Sequence, residues 1–192
     1  MLAGGTSSRM GTDKALIEIG GRTLLDRALE TLRVIADQVR IVGEHEKYQR
    51  FGEVVEDVFA GRGPLGGIHA ALASAGTDQN LIFAVDLPFV EPEFLKFLVA
   101  TALQGDELVT VPYARGRYEP LCAVYRKEFG DVAERALAEG SNKVHALFAT
   151  VPVRAVNEDE LVNAGFRPEI FQNVNTRGEL GMAASKERHK SV

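Results

Sequence analysis

The 192-residue chain holds one cysteine and no tryptophan, and aromatic residues make up only 7% of it. A single thiol, Cys122, excludes an internal disulfide, and its setting in LCAVY reads as a buried strand position rather than a reactive nucleophile. The four histidines, His45, His69, His145 and His189, fall at spacings that fit no zinc site, and none pairs with Cys122 in a nucleophile motif. Long apolar runs are missing as well. Nothing approaches the about 18 uninterrupted apolar residues of a membrane span, and the opening MLAGGTSSRMGTDK lacks the apolar core of a signal peptide. The expectation is a cytoplasmic protein with no membrane partner. Positive charge is not in excess either: 22 Lys and Arg stand against 27 Asp and Glu, a net charge of -5. Such a surface has no basic field for a polyanion, which argues against nucleic acid and requires any phosphate ligand to be met by a local positive site.

What is present is an ordinary globular composition, 45% hydrophobic and 26% charged, in a chain near the upper end of a typical single domain. Strand and helix signals alternate along it. Leu2 and Ala3 end a strand that runs into GGTSSRMGTDK; Thr23 can cap a helix whose apolar face is Leu24, Leu25, Ala28, Leu29 and Leu32. VRIVG, EVVED, NLIFAVD, ELVTVP, LCAVY and VPVRAV read as strands. A short helical stretch is expected around EKYQRF, and GRGPLGG is expected as a loop leading into the helical IHAALASA. Glu91 to Leu103, with Pro92 in its first turn, and EFGDVAERALAEG, ended by Gly140, complete the helices. YARGRYEP reads as an exposed connection, and SKERHKSV as a frayed polar tail. There are no internal repeats and no linker long enough to divide the chain. The alternation predicts an α/β fold of the single-domain, Rossmann-like kind, with a mostly parallel sheet and helices on both faces. Ligands of such sheets bind beyond the carboxyl ends of the strands.

Three loops follow strands on that edge: GGTSSRMGTDK, the stretch from Asp57, and DLP at Asp86. Gly4 and Gly5 allow a phosphate to approach the backbone closely, Ser7 and Ser8 offer hydroxyls, and Arg9 and Lys14 supply charge for a triphosphate. A tight turn with solvated charges is the competing reading of the same loop. It is not a GxxxxGK[ST] loop, and Gly4, Gly5 and Gly11 do not make GxGxxG. Asp86, set directly after an apolar run, suits Mg²⁺, which takes one or two carboxylates and fills its remaining places with water and phosphate oxygens. An aspartate that merely caps the following turn is the alternative.

These residues resemble a known family. LAGGTSSRMGTDKAL is similar to the signature of the molybdenum cofactor guanylyltransferases, within a wider group of nucleotidyltransferases that share the first loop. Asp57 with GPLGG, DLP at Asp86, EPLCAVY at Glu119 to Tyr125, ALAEGSNKVHALF, and QNVNT at Gln172 to Thr176 follow in the family's order, so the resemblance covers nearly the whole chain. The resemblance implies transfer of GMP from Mg²⁺·GTP to the terminal phosphate of molybdopterin, with release of pyrophosphate. It implies that Leu2, Ala3, Gly4 and Gly5 contact the nucleotide, Lys14 the triphosphate, Asp57 the nucleoside and Asp86 the Mg²⁺; charge and position add Arg9 at the phosphates. Asn173 and Asn175, with Ser141, Asn142 and Lys143, are expected on the acceptor side, where ordinary loop and capping roles are the alternative. The nucleotide portion is expected over about 1–112, the acceptor portion over about 113–180, and the tail over 185–192. Molybdoenzymes or their chaperones are the partners expected to receive the product.

Three departures accompany the resemblance. The family carries several apolar residues before its signature, so the first strand is expected to be short here. Gly43 stands where family members that read guanine carry an asparagine, and Arg177 where the family usually has proline. Cytidylyl transfer from CTP is therefore one alternative, and a non-catalytic nucleotide-binding regulatory protein another; retention of both Lys14 and Asp86 counts against the second. A sugar-phosphate or isoprenoid-precursor nucleotidyltransferase does not account for EPLCAVY and NVNT.

Overall fold

The computed structural model describes residues 1–4, 13–59 and 61–173. Its strands are β1 (Glu18–Ile19), β2 (Arg22–Thr23), β3 (Arg40–Val42), β4 (Glu53–Val55), β5 (Gln79–Phe83), β6 (Val109–Ala114), β7 (Arg117–Tyr118), β8 (Cys122–Arg126) and β9 (Val153–Val156). Its α-helices are α1 (Leu24–Arg33), α2 (His45–Tyr48), α3 (Pro64–Ala73), α4 (Pro92–Ala102), α5 (Phe129–Ala138), α6 (Val144–Leu147) and α7 (Glu158–Asn163).

Local chemistry explains most of the helix starts. Thr23 accepts from Asp26 N while the Asp26 carboxylate accepts from Thr23 N, a reciprocal cap that satisfies two otherwise orphaned donors. Asn157 and Glu160 make the same box at α7. Pro64 and Pro92 occupy first-turn positions, where a missing N–H costs nothing.

One residue joins the sheet at its centre. Leu2 bridges in parallel to Val42 on one side and Ala84 on the other, with Leu2 N donating to Phe83 O at 2.8 Å and Val42 N to Met1 O at 2.8 Å. Beyond β3 lies β4, parallel to it; beyond β5 lie β8 and then β6, with β9 on the far side. The pairing is mixed, where a mostly parallel sheet was expected. The β3·β4 and β6·β9 pairs are parallel, but β8 runs antiparallel to both β5 and β6. The reason is the connection. The chain returns from β6 to β8 within a few residues and without a crossover helix, and a short return allows only antiparallel pairing.

YARGRYEP differs from expectation as well. Tyr113 pairs with Tyr118 and Ala114 with Arg117, around a turn with Arg115 at φ 55° and Gly116 at φ 74°. Two consecutive positive φ values make the tight hairpin turn whose twist matches its strands. Glu119, at the end of this segment, is buried at 7% exposure.

Alternation along the strands divides the core between the two faces. Ile82, Val109, Val111, Ala123 and Tyr125 meet Leu65, Ile68 and Leu72 of α3 and Phe129 and Ala133 of α5. Phe83, Cys122 and Val124 belong to the opposite layer, with Leu25 and Leu29 of α1 and Phe94, Leu95 and Leu98 of α4. Phe94 also meets Phe166 and Phe171 edge-on, each at 5.2 Å between centroids. Burying a side chain such as Phe171, which is fully enclosed, is worth about 1.5–3 kcal/mol and anchors the segment that carries Asn173 back to the sheet. No helix of the described residues is long and apolar enough to cross a membrane.

Candidate active site

The carboxyl end of β5 continues through Ala84 and Val85, hydrogen-bonded to Leu121 and Leu2, and delivers Asp86 to the rim of the sheet. Lys14 reaches it from a short 3₁₀ turn, Lys14–Leu16, capped by Asp13, whose Oδ1 accepts from Ala15 N at 3.0 Å. Lys14 Nζ lies 2.7 Å from Asp86 Oδ2, and Asn173 Nδ2 approaches the same oxygen at 3.4 Å. Three segments far apart in sequence therefore converge on one carboxylate. The Lys14 and Asp86 side chains are each about one-fifth exposed, so the pair faces an opening.

That opening is a cavity of about 180 Å³ lined by Ala84, Asp86 and Leu87 on one side and residues 117–121, His145 and Asn173 on the other. Asn173 Oδ1 is buried and has no hydrogen-bond partner among the described residues. A buried acceptor left without a donor costs about 1–3 kcal/mol.

Other sequence-predicted residues occupy distinct places. The side chains of Leu2 and Ala3 are inside the core, at 7% and 6% exposure. Their N–H groups are used within the sheet, Leu2 N by Phe83 O and Ala3 N by Val42 O, and Gly4 N also donates to Val42 O at 3.2 Å. Gly4 approaches the backbone of Gly43. Asp57 makes an Asx turn, accepting from Phe59 N at 2.8 Å, and its Oδ2 lies against Gly66 in the first turns of α3. The loop expected over GRGPLGG is thus a helix from Pro64 onward; within it a side chain at Gly66 would collide with Asp57, and one at Gly67 would press on Leu2. Ser141, Asn142 and Lys143 form the turn after α5, where Ser141 N donates to Ala136 O at 2.8 Å; they do not line the cavity, whereas His145 does. Gly5, Arg9 and Asn175 lie outside the described residues.

Sequence reasoning missed two groups. The first is Tyr48, 2% exposed, whose hydroxyl donates to Asp13 Oδ2 at 2.7 Å and lies 3.3 Å from Ala3 O. Burial, and then the bond to Asp13, raises its pKa well above the usual phenol value, so it acts as a neutral donor. The EKY stretch around it marked only a helix. The second is the Arg117, Tyr118, Glu119 and His145 wall; EPLCAVY marked a motif there without indicating which of its side chains face the cavity.

As a divalent-metal position, Asp86 is a single carboxylate. Among the described residues no three His, Cys, Asp or Glu side chains gather as a metal site. That donor set fits Mg²⁺ delivered with a nucleotide, whose phosphates and waters supply most ligands, and does not fit an all-protein cage.

Comparison with known proteins places the chain in a family. Residues 1–156 match the family described as the MobA-like NTP transferase domain. A probable molybdenum cofactor guanylyltransferase of Carboxydothermus hydrogenoformans is 37% identical over 92% of this chain and 89% of its own. A molybdenum cofactor guanylyltransferase of Desulfosudis oleivorans is 36% identical over 95% and 92% of the two chains. The crystal structure of molybdopterin-guanine dinucleotide biosynthesis protein A from Archaeoglobus fulgidus superposes with a TM-score of 0.85 at 27% identity, covering 98% of this chain and 97% of that one. With the Lys14–Asp86 pair at the mouth of the cavity and a match over most of its length, the chain belongs to the MobA-like NTP transferase family.

Proposed function

We propose that the protein transfers GMP from Mg²⁺·GTP to the terminal phosphate of molybdopterin, forming molybdopterin guanine dinucleotide and pyrophosphate. The observation that carries this reading is the Lys14–Asp86 pair at the rim of the cavity, cation and carboxylate 2.7 Å apart where a metal-bound triphosphate needs one of each. Its support from relatives is the guanylyltransferase name borne by chains 36–37% identical over nearly the full length.

In the reaction an acceptor phosphate oxygen bonds to the α-phosphorus, the bond from that phosphorus to the bridging oxygen breaks, and pyrophosphate leaves with the electron pair. The acceptor is already largely anionic near neutral pH, so no strong general base is required. The protein's task is alignment and charge neutralisation. Lys14 holds the triphosphate and offsets charge on the leaving group. Asp86 would hold the Mg²⁺, and the ion would supply Lewis-acid polarisation of the phosphates. The ion pair between them holds the Lys14 ammonium and the Asp86 carboxylate side by side, oriented for substrate. Asn173 approaches Asp86 from the acceptor side and donates to its Oδ2 at 3.4 Å. Residues 1–112 form the nucleotide portion in this reading and 113–180 the acceptor portion, with Arg9, Gly5 and Asn175 adding contacts from the signature loop and the NVNT segment.

The test supplies molybdopterin and Mg²⁺ with GTP and CTP in parallel, following dinucleotide and pyrophosphate for the intact chain and Asp86→Ala. Formation of the guanine dinucleotide that depends on Asp86 is expected. Preference for CTP would leave the chemistry in place and reassign the base, and silence with both nucleotides would refute transfer.

A further inference from the structure

The cavity contains a second carboxylate that the transfer reaction does not use. Glu119 is 7% exposed, and its backbone is held on both sides: its N–H donates to Pro112 O at 2.9 Å and its carbonyl accepts from Cys122 N at 3.0 Å. Oε1 accepts from Arg117 Nε at 2.9 Å, which turns and fixes the carboxylate plane while leaving lone pairs on both oxygens. Beside it, Tyr118 is braced edge-on by Tyr113 at 5.0 Å and by Phe148 at 5.2 Å, and lies near-parallel to His145, at 28° between ring planes.

A desolvated carboxylate is unfavourable next to the phosphates of an anionic acceptor. The Lys14 ammonium suits the phosphate of that molecule, and the buried Glu119 carboxylate suits a portion bearing hydrogen-bond donors. At 180 Å³ the space is below the about 300 Å³ at which whole-ligand pockets begin, so it takes a ring system rather than an entire acceptor. A 2-amino-4-oxopyrimidine edge presents a ring N–H and an exocyclic amino group side by side, the donor pair that a carboxylate accepts with two parallel bonds.

We propose that Glu119 is a specificity-determining residue that reads the amino-pyrimidinone edge of the pterin acceptor, with Tyr118 and His145 as the flat wall against its rings. The inference rests on the acceptor being a pterin, as in the proposed function, and its test is arranged to separate the two.

Dimethylpterin and dimethyllumazine differ at the position where the pterin carries its exocyclic amino group and the lumazine an oxygen. Their fluorescence can be followed against a protein without tryptophan. The intact chain is expected to bind the pterin about 10-fold or more tightly than the lumazine, because a site built for a donor rejects an analogue that lacks it. Glu119→Gln, of equal shape, presents one donor and one acceptor and should reduce that ratio to about 2-fold or less. With molybdopterin as acceptor, Glu119→Gln should raise the acceptor KM about 10-fold and leave the GTP KM within about 2-fold. Equal binding of the two probes by the intact chain overturns the inference without reliance on any variant. So does an unchanged probe ratio or acceptor KM in a folded Glu119→Gln protein. Absence of dinucleotide from the intact chain would instead refute the transfer reading, and the probe ratio then decides the role of Glu119 by itself.

Discussion

The Tyr48 hydroxyl donates to Asp13 Oδ2 at 2.7 Å, with Ala3 O a second, longer acceptor at 3.3 Å. Ala3 and Asp13 flank the signature loop, so one buried phenol ties its two ends together and sets the entry to the turn that carries Lys14. Tyr48→Phe removes a bond to a charged acceptor, worth about 1.5–3 kcal/mol. The expected result is a fall in urea-melt stability of that order, with a GTP KM raised several-fold. A variant with unaltered GTP kinetics would show that the tie does not position the loop.

Gly43 is kept free of a side chain by the same ring. A Cβ there would lie 2.6 Å from Tyr48 Cε2 and 2.8 Å from Cδ2. Gly43→Asn should therefore cost about 1–3 kcal/mol, the range for overpacking. It should not raise the ratio of GTP to CTP turnover, because the added amide has to displace Tyr48 first. A clear gain in guanine preference would show that the ring gives way.

Lys14→Ala is expected to lower kcat by about 10²- to 10⁴-fold, as loss of a single transition-state charge contact does elsewhere. Thermal melting should move little, since exposed and partly exposed ion pairs contribute about 0–1 kcal/mol. Activity near normal, or a collapse of stability that accounts for the loss, would contradict the assignment.

Gly66→Ala sets two effects against each other. Alanine favours helix by about 0.8–1.0 kcal/mol over glycine. Its Cβ, however, would meet Asp57 Oδ2 at 2.6 Å, Asp57 Oδ1 at 3.0 Å and Phe59 O at 3.1 Å. The collision falls on the carboxylate that the family resemblance assigns to the nucleoside, so the GTP KM should rise about 10-fold, read by steady-state kinetics. A more stable protein with normal KM would remove Asp57 from the nucleotide site.

Cys122 has no exposed surface, and burial, aided by the charge of Glu119, holds its thiol well above the usual range. The intact protein should react with iodoacetamide at pH 8 many times more slowly than the urea-unfolded chain. Rapid labelling of the folded protein would show that β8 opens readily.

Much of this molecule is written in short-range patterns. The Thr23 cap, the apolar stripe of α1, the proline starts of α3 and α4, and the buried strands around Phe83 and Cys122 follow from residue spacing and local hydrogen bonding, so the sequence determined them by itself. It also marked Lys14, Asp86 and Asn173 one at a time, as residues of chemistry-bearing loops. Only the tertiary structure decided that these three meet at one carboxylate oxygen. Their meeting depends on Leu2 bridging β3 to β5 and on Phe171 packing against Phe94, contacts between segments that no local pattern relates. The same reason hid Tyr48 and Glu119. Each looks like a surface residue of a polar stretch until the sheet brings Asp13 to one and the cavity wall to the other. Periodicity reports which face of an element is buried, whereas packing at long range decides what that face touches.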